Sequence, residues 1–416
     1  MKDKAIPSYV LNFLFFSILF SALGFYVSVS FIGLGHLLLL IPIVYLIDKK
    51  ELKKTFEYAP SKFLLAFILA AALSIILNWN SIGQPLKLLF KIKYFIISLL
   101  AIPCYSYFYK QDESRNKPRL PLLLKILFIS TTLATCSGII GLYSGFNPLK
   151  FTKACSMERN CGMSGMLMTY SYSISIFCSI IFGWIINFKS NKYTTRKNLI
   201  IVFVINFVGL YLSYSRGAML GFLAALPFSF FWKYKYLFKS AIVFSTIFTA
   251  ALAYIFINKI DIDFYRLHTN SHNEKSRLMI MNTAYHAFKE KPIFGFGYRN
   301  FENVAGSIKY KYGLHNIKAP RSVKKFTGHA HNNYLEVLSG MGTLGFIAFT
   351  GFILGWLALC FTGKNTILKI ILPGLLNFSV SGLFQSTLID GEITFLIMVL
   401  FSITITNQIR SQDSKA

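Results

Sequence analysis

The stretch GHAHNNYLEVLSGMGTLGFIAFTGFILGWLALC, residues 328–360, decides what kind of molecule this is. From Leu335 onward Glu336 is its only charge. The run is long enough for a helix of about 30 Å, the thickness of a bilayer's hydrocarbon core. Directly before and at its start lie two histidines, two asparagines and that glutamate. A polar cluster at the mouth of an apolar helix asks for a chemical reason.

Working outward, comparable runs recur near 8–29, 30–47, 63–79, 88–108, 120–146, 164–187, 199–214, 217–232, 240–257, 335–361, 370–388 and 391–408. The chain is 54% hydrophobic and 14% charged over 416 residues, and its runs lack the polar face that a surface helix shows to water. A soluble core of that size is excluded. The first run follows MKDK but ends in no small-residue cleavage site and is followed at once by a second run, so it reads as a span rather than a signal peptide.

A net charge of +27 would suggest nucleic acid in a soluble protein. Here the basic residues sit in short loops: DKKELKK (48–54), KQDESRNKPR (110–119), KSNKYTTRKN (189–198), KYKYLFK (233–239) and GKNTILK (363–369). Counted alternately, all of these fall on one side with both termini, which the positive-inside rule makes the cytoplasm. The sequence therefore predicts an all-α polytopic integral membrane protein with about 12 transmembrane helices. Residues 1–257 carry spans one to nine, 258–334 a large external loop with amphipathic helices, and 335–416 spans ten to twelve with a cytoplasmic C-terminus. Cys155 and Cys161 fall in a smaller external loop, where an oxidising compartment would let them form a disulfide.

The long loop carries thirteen lysines and arginines against five carboxylates. Orientation does not explain positive charge on the outer side, which fits either a solvated surface or a site for anionic groups such as phosphates. Within it, SRLMIMNTAYHAFKEKPIFGFGYRNFENV (276–304) sets Arg277, Ile280, Ala284, Ala287 and Phe288 at helical spacing and stops at Pro292, with Gly295 and Gly297 making a turn. This predicts a helix along the membrane surface. GFG follows no strand and lacks a third glycine, so it is not a dinucleotide loop. Six of the seven histidines lie in the loop, yet there is no HExxH and no cysteine pair, so no metal or other cofactor is expected.

Positions 331, 335, 338, 342 and 345 share one helical face, with Gly342 and Gly345 allowing a neighbouring helix to approach. At a helix N-terminus the dipole disfavours imidazolium, so His331 reads as a neutral general base. Glu336, one turn further in, needs a partner, and Arg216 in SYSRGAM (213–219) is a candidate. Lys87 and Lys91, at the outer start of the fourth span, either snorkel or join an anion site. Asp390 and Glu392 in LIDGEI either orient an arginine or anchor a turn.

On these residues the chain resembles the O-antigen ligase family, together with related polysaccharide polymerases and protein-glycosylating ligases. The resemblance covers the topology of almost the whole chain. It rests on SRGA (215–218), on Arg277 opening a helix that ends in Pro292, Gly295 and Gly297, and on HxHNxxLExxxxxG (329–342). It implies a GT-C-like glycosyltransferase in the bacterial inner membrane with a periplasmic active site. The partners it implies are an undecaprenyl-pyrophosphate-linked glycan as donor, a lipid A-core oligosaccharide as acceptor and the membrane lipids, without nucleic acid, metal or nucleotide. His331 would activate the acceptor hydroxyl while Arg216 and Arg277 hold the pyrophosphate. His329, Asn332, Glu336, Lys87, Lys91, Arg159, Arg299 and Asp390 complete the expected substrate-binding set. A polymerase would use the same donor. A transporter, the reading of another class, would place charges or broken helices near the midplane rather than polarity in one outer loop.

Overall fold

A computed structural model describes residues 6–47, 49–115, 118–189, 194–232, 236, 239, 243, 271–314, 328–363 and 365–413. It is almost wholly helical: α1 (Ser8–Gly24), α2 (Val29–Leu46), α3 (Lys49–Phe56), α4 (Ala59–Leu77), α5 (Pro85–Lys91), α6 (Lys93–Glu113), α7 (Leu120–Ser144), α8 (Leu167–Ile186), α9 (Arg196–Leu212) and α10 (Arg216–Ala225). After a short 3-10 extension, Leu226–Phe230, come α11 (Ser271–Glu290), α12 (Phe301–Lys311), α13 (Asn333–Thr362), α14 (Thr366–Ser381) and α15 (Gly391–Asp413). Seven helices among the described residues are long and apolar enough to cross a membrane. Shorter apolar helices, Ser8–Gly24, Arg216–Phe230 and Thr366–Ser381, accompany them. Each expected run falls on a helix except 240–257, which lies almost entirely outside the described residues.

The apolar side chains divide between two solvents. Helix α8 is the central one, with 78% of its most apolar window buried, whereas α2 buries only 28%. Leu37, Val44, Leu69, Ile76, Ile347 and Leu354 point outward, as lipid tolerates and water does not. Inside, α1 pairs with α2, α4 with α13, α6 with α15, and α14 with both α8 and α10. Trp356 is fully buried against Phe352 and Phe401, and its indole N–H donates to Thr404 Oγ1 at 3.1 Å.

Helix ends follow local chemistry. Pro60 sits in the first turn of α4, where its missing N–H costs nothing, and α7 stops at Gly145, whose φ of 73° is open to glycine. At one end of the bundle Lys54 pairs with Asp413 at 3.0 Å and Arg410 with Glu113 at 2.6 Å. At the other, Phe146–Asn147 pairs antiparallel with Thr152–Lys153, and Cys155 and Cys161 form a disulfide.

Run 88–108 falls within one candidate span, Pro85–Glu113, in which a single turn residue, Ile92, separates α5, carrying Lys87 and Lys91, from α6. One expected span is corrected. Run 370–388 ends as a helix at Ser381; Gly382–Asp390 is a loop with one 3-10 turn, Thr387–Ile389. That loop forms part of the site.

Candidate functional site

The segment before α13 is locked to the loop after α14. Asn332 caps α13, its Oδ1 accepting from the N–H groups of Tyr334 (2.9 Å) and Leu335 (3.0 Å). Its backbone N–H donates to Ser386 Oγ at 3.1 Å and its Nδ2 to the Leu383 carbonyl at 3.1 Å. Asn333 binds the same loop at three points: its N–H donates to the Gly382 carbonyl (2.7 Å), its Nδ2 to Thr387 Oγ1 (2.9 Å), and its Oδ1 accepts from Leu388 N–H (2.8 Å). Asn332 thus positions the backbone.

His331 is not on the helix face expected from its spacing. The helix begins at Asn333, and His331 precedes the cap with φ +50°. That left-handed conformation costs about 1–3 kcal/mol for a non-glycine residue and persists only where neighbours over-determine it. On one side Ala330 N–H donates to Glu336 Oε2 at 2.8 Å; on the other Asn332 is held by Ser386. The ring lies 2.7 Å from Gln385 Oε1 through Nδ1. Burial lowers its pKa from the ordinary value near 6.5; the Gln385 contact opposes this and the nearby Arg277 guanidinium adds to it. His329 turns instead to Glu302, Nε2 to Oε2 at 3.3 Å, and burial also lowers its pKa. The two histidines therefore have different environments.

The arginines arrive on different elements. Arg216 opens α10 directly after Ser215. Arg159 braces that turn: its Nε donates to the Ser213 carbonyl at 2.9 Å and its Nη2 to the Tyr214 carbonyl at 2.8 Å, where Tyr214 has φ +49°. The buried Tyr172, on α8, bonds Ser215 and lies within electrostatic reach of Arg277 and Arg159. A Cβ on Gly217 would strike the Tyr172 hydroxyl and Phe384, so the start of α10 touches the loop that carries Gln385. Arg277, Arg159, the Arg216 turn and His331 thus gather at one end of the bundle.

A second polar group lies beside the first. Arg299, with φ +59°, donates from Nη2 to the Ile389 carbonyl and sits within electrostatic reach of Glu336, Asp390, Lys91 and His329. Glu336 is 4% exposed; Ser386 Oγ approaches its Oε2 at 3.4 Å, and its Oε1 has no hydrogen-bond partner among the described residues. The expected pairing of Glu336 with Arg216 is corrected: the nearby guanidinium is that of Arg299. Asp390 accepts from Thr169 Oγ1 at 2.9 Å through both oxygens, and burial pushes its pKa up to about 6. Lys91 is half-buried near Glu392, while Lys87 is exposed.

The glycines perform a different task from the expected helix packing. Helix α13 is two segments joined at Gly342, whose φ is 64° and ψ −161°. Into that break docks the turn after α11: Thr343 N–H donates to the Pro292 carbonyl (2.7 Å), Phe296 N–H to that of Ser339 (3.0 Å) and Gly297 N–H to that of Gly340 (2.8 Å). A Cβ at Gly342 or Gly295 would collide with the opposing backbone. Ile280, Ala284 and Ala287 are buried with Phe301, Ala305 and Ala330, so α11 presents the apolar face its spacing predicts. Arg277 is thereby carried on a docked helix.

Three of the four described non-glycine residues with positive φ, Tyr214, Arg299 and His331, lie in this region, where the surrounding hydrogen bonds over-determine the backbone. Gln385, buried at 8% exposure, is the residue that the sequence reading missed. Its signal was a run of polar residues, QST, inside what hydropathy assigned to a span.

The fold and this arrangement define a polytopic helical membrane protein whose cationic and histidine side chains converge at one end. Residues 201–350 match the family model described as O-antigen ligase, a region carrying Arg216, Arg277 and His331, and the match supports assigning the chain to that family. It supports a glycosyltransferase-like ligase activity in general terms. A comparison with curated proteins gave no significant match.

Proposed function

We propose that this protein transfers a glycan from undecaprenyl pyrophosphate to a sugar hydroxyl of lipid A-core oligosaccharide at the periplasmic face of the inner membrane. The observation that carries the reading is the placement of His331, held by Gln385, beside the Arg277 guanidinium at one end of a membrane bundle.

The chemistry suits that pairing. A lipid pyrophosphate is already a good leaving group, so the reaction needs a base on the nucleophile and cations on the developing phosphate charge. His331 takes the proton of the acceptor hydroxyl, and that oxygen bonds to the anomeric carbon. The carbon–oxygen bond to the pyrophosphate breaks, its electron pair leaving on the phosphate oxygen, which Arg216 and Arg277 hold. Direct displacement inverts the anomeric centre; a product linkage with retained configuration would overturn this step. Arg299, Asp390 and Lys91 form the neighbouring polar wall that meets sugar or phosphate, while the buried Glu336 orients the backbone before His331.

The test is deletion of the gene and gel analysis of surface lipopolysaccharide. The ligase reading expects lipid A-core without attached polymer, while carrier-linked polymer accumulates. Lipid A-core bearing single repeat units would instead identify a polymerase.

A further inference from the structure

We propose that Gln385 is a positioning residue that fixes the tautomer and rotation of His331, presenting Nε2 to the acceptor hydroxyl. The proposal rests on the reading of His331 as the general base.

An amide oxygen has no hydrogen to give, so in the 2.7 Å contact with Gln385 Oε1 the His331 Nδ1 must carry the hydrogen. A neutral imidazole has one N–H, so the lone pair that accepts a proton is on Nε2. Gln385 can set this geometry because its own backbone is fixed. Its N–H donates to the Ser381 carbonyl at 3.2 Å, and its carbonyl accepts from Thr387 N–H at 2.9 Å. The Gly382–Asp390 loop is tied to Asn332 and Asn333 on both sides of that contact. Histidine and glutamine therefore belong to one clamped unit.

The choice of an amide also has a consequence. A carboxylate at this place would hold the same tautomer but would raise the pKa of the ring, leaving a smaller fraction of it neutral and able to accept a proton at neutral pH. The amide holds the tautomer without adding charge. Among the described residues, Arg277 from α11 and His329 on the same segment lie within electrostatic reach of the ring. Arg277 works in the same direction as burial and keeps the ring neutral.

The experiment is transfer by the full-length protein in proteoliposomes, using carrier-linked oligosaccharide and polymer-free lipopolysaccharide, with pH–rate profiles for wild type, Gln385→Leu, Gln385→Glu and His331→Ala. Gln385→Leu should lose kcat by roughly 10- to 100-fold while the donor KM stays within about threefold. Gln385→Glu, which can only accept from Nδ1–H, should restore most of the rate and move the acidic limb of the profile up by about one pH unit. A purely structural role would not move that limb. If Gln385→Leu fails to fold by thermal unfolding, the limb shift in Gln385→Glu carries the test. An inactive but folded Gln385→Glu would mean that the amide donates rather than accepts, which overturns the proposal. So would an unshifted limb in Gln385→Glu while His331→Ala is inactive. Wild-type rates in His331→Ala would instead remove the base itself.

Discussion

At the residue scale, the site is a set of backbone constraints that happen to end in reactive side chains. His331→Ala removes the proposed base and should cost roughly 10²- to 10⁴-fold in transfer, with unchanged expression and melting temperature. Glu336 behaves differently. Its Oε2 holds the Ala330 N–H that fixes the strained His331. Glu336→Ala orphans that donor and should lower stability by about 1–3 kcal/mol in chemical unfolding, whereas Glu336→Gln keeps an acceptor there and should lose less. Asp390 gives a pH signature. Its folded pKa of about 6 lies above the ordinary value of 3.8, so the folded state binds this proton more tightly than the unfolded state. Its contribution to stability is present at low pH and is lost as pH rises from about 4 through 6. Asp390→Asn should flatten the melting temperature across that interval; an unchanged pH slope would contradict the burial argument. The candidates His331, Arg216 and Arg277 were picked out by motif and hydropathy, and the structure brings them to one end of the bundle. Gln385 was not, because its loop reads as apolar and only tertiary contact gives it a role.

At the element scale, the decisive event is the docking of the turn 292–297 into the break in α13. The sequence put a turn at Gly295 and Gly297 but read Gly342 and Gly345 as helix-to-helix packing, since spacing does not distinguish a close helix from a close loop. The φ of +64° at Gly342 makes the distinction. Gly342→Ala combines an unfavourable backbone conformation with a collision against Ile293, and should destabilise by about 2 kcal/mol or more and detach α11. Limited proteolysis between α11 and α12 would detect the detachment; an unchanged cleavage pattern would contradict the docking role. Arg159→Lys is the matching test for the other turn. A lysine cannot span the carbonyls of Ser213 and Tyr214 as the guanidinium does, so the α9–α10 turn should loosen and the donor KM rise, with kcat less affected.

At the scale of the whole molecule, the fold solves the problem of bringing charge together without burying it in lipid. Loops that are far apart in sequence, including 159, 213–216, 277, 299, 329–331 and 382–390, meet at one end of the bundle, opposite the end closed by Lys54–Asp413 and Arg410–Glu113. The polytopic helical character was readable, because a bilayer's thickness leaves a strong mark on a sequence; among the described residues seven helices are long and apolar enough to cross it, against about twelve expected spans. The convergence of loops was not, because it depends on side-chain bonds such as Thr169 to Asp390 across 221 residues. Cysteine labelling tests the sidedness: a cysteine replacing Lys153 should react with an impermeant maleimide from the outer side, and one replacing Lys54 only after permeabilisation. The central claim is tested most directly by reconstitution. Purified protein in liposomes, given only carrier-linked glycan and lipid A-core, should form a glycan-bearing lipid A-core with inverted anomeric configuration, and His331→Ala should form none. Transfer at the wild-type rate by folded His331→Ala, or a product of retained configuration, would contradict the account.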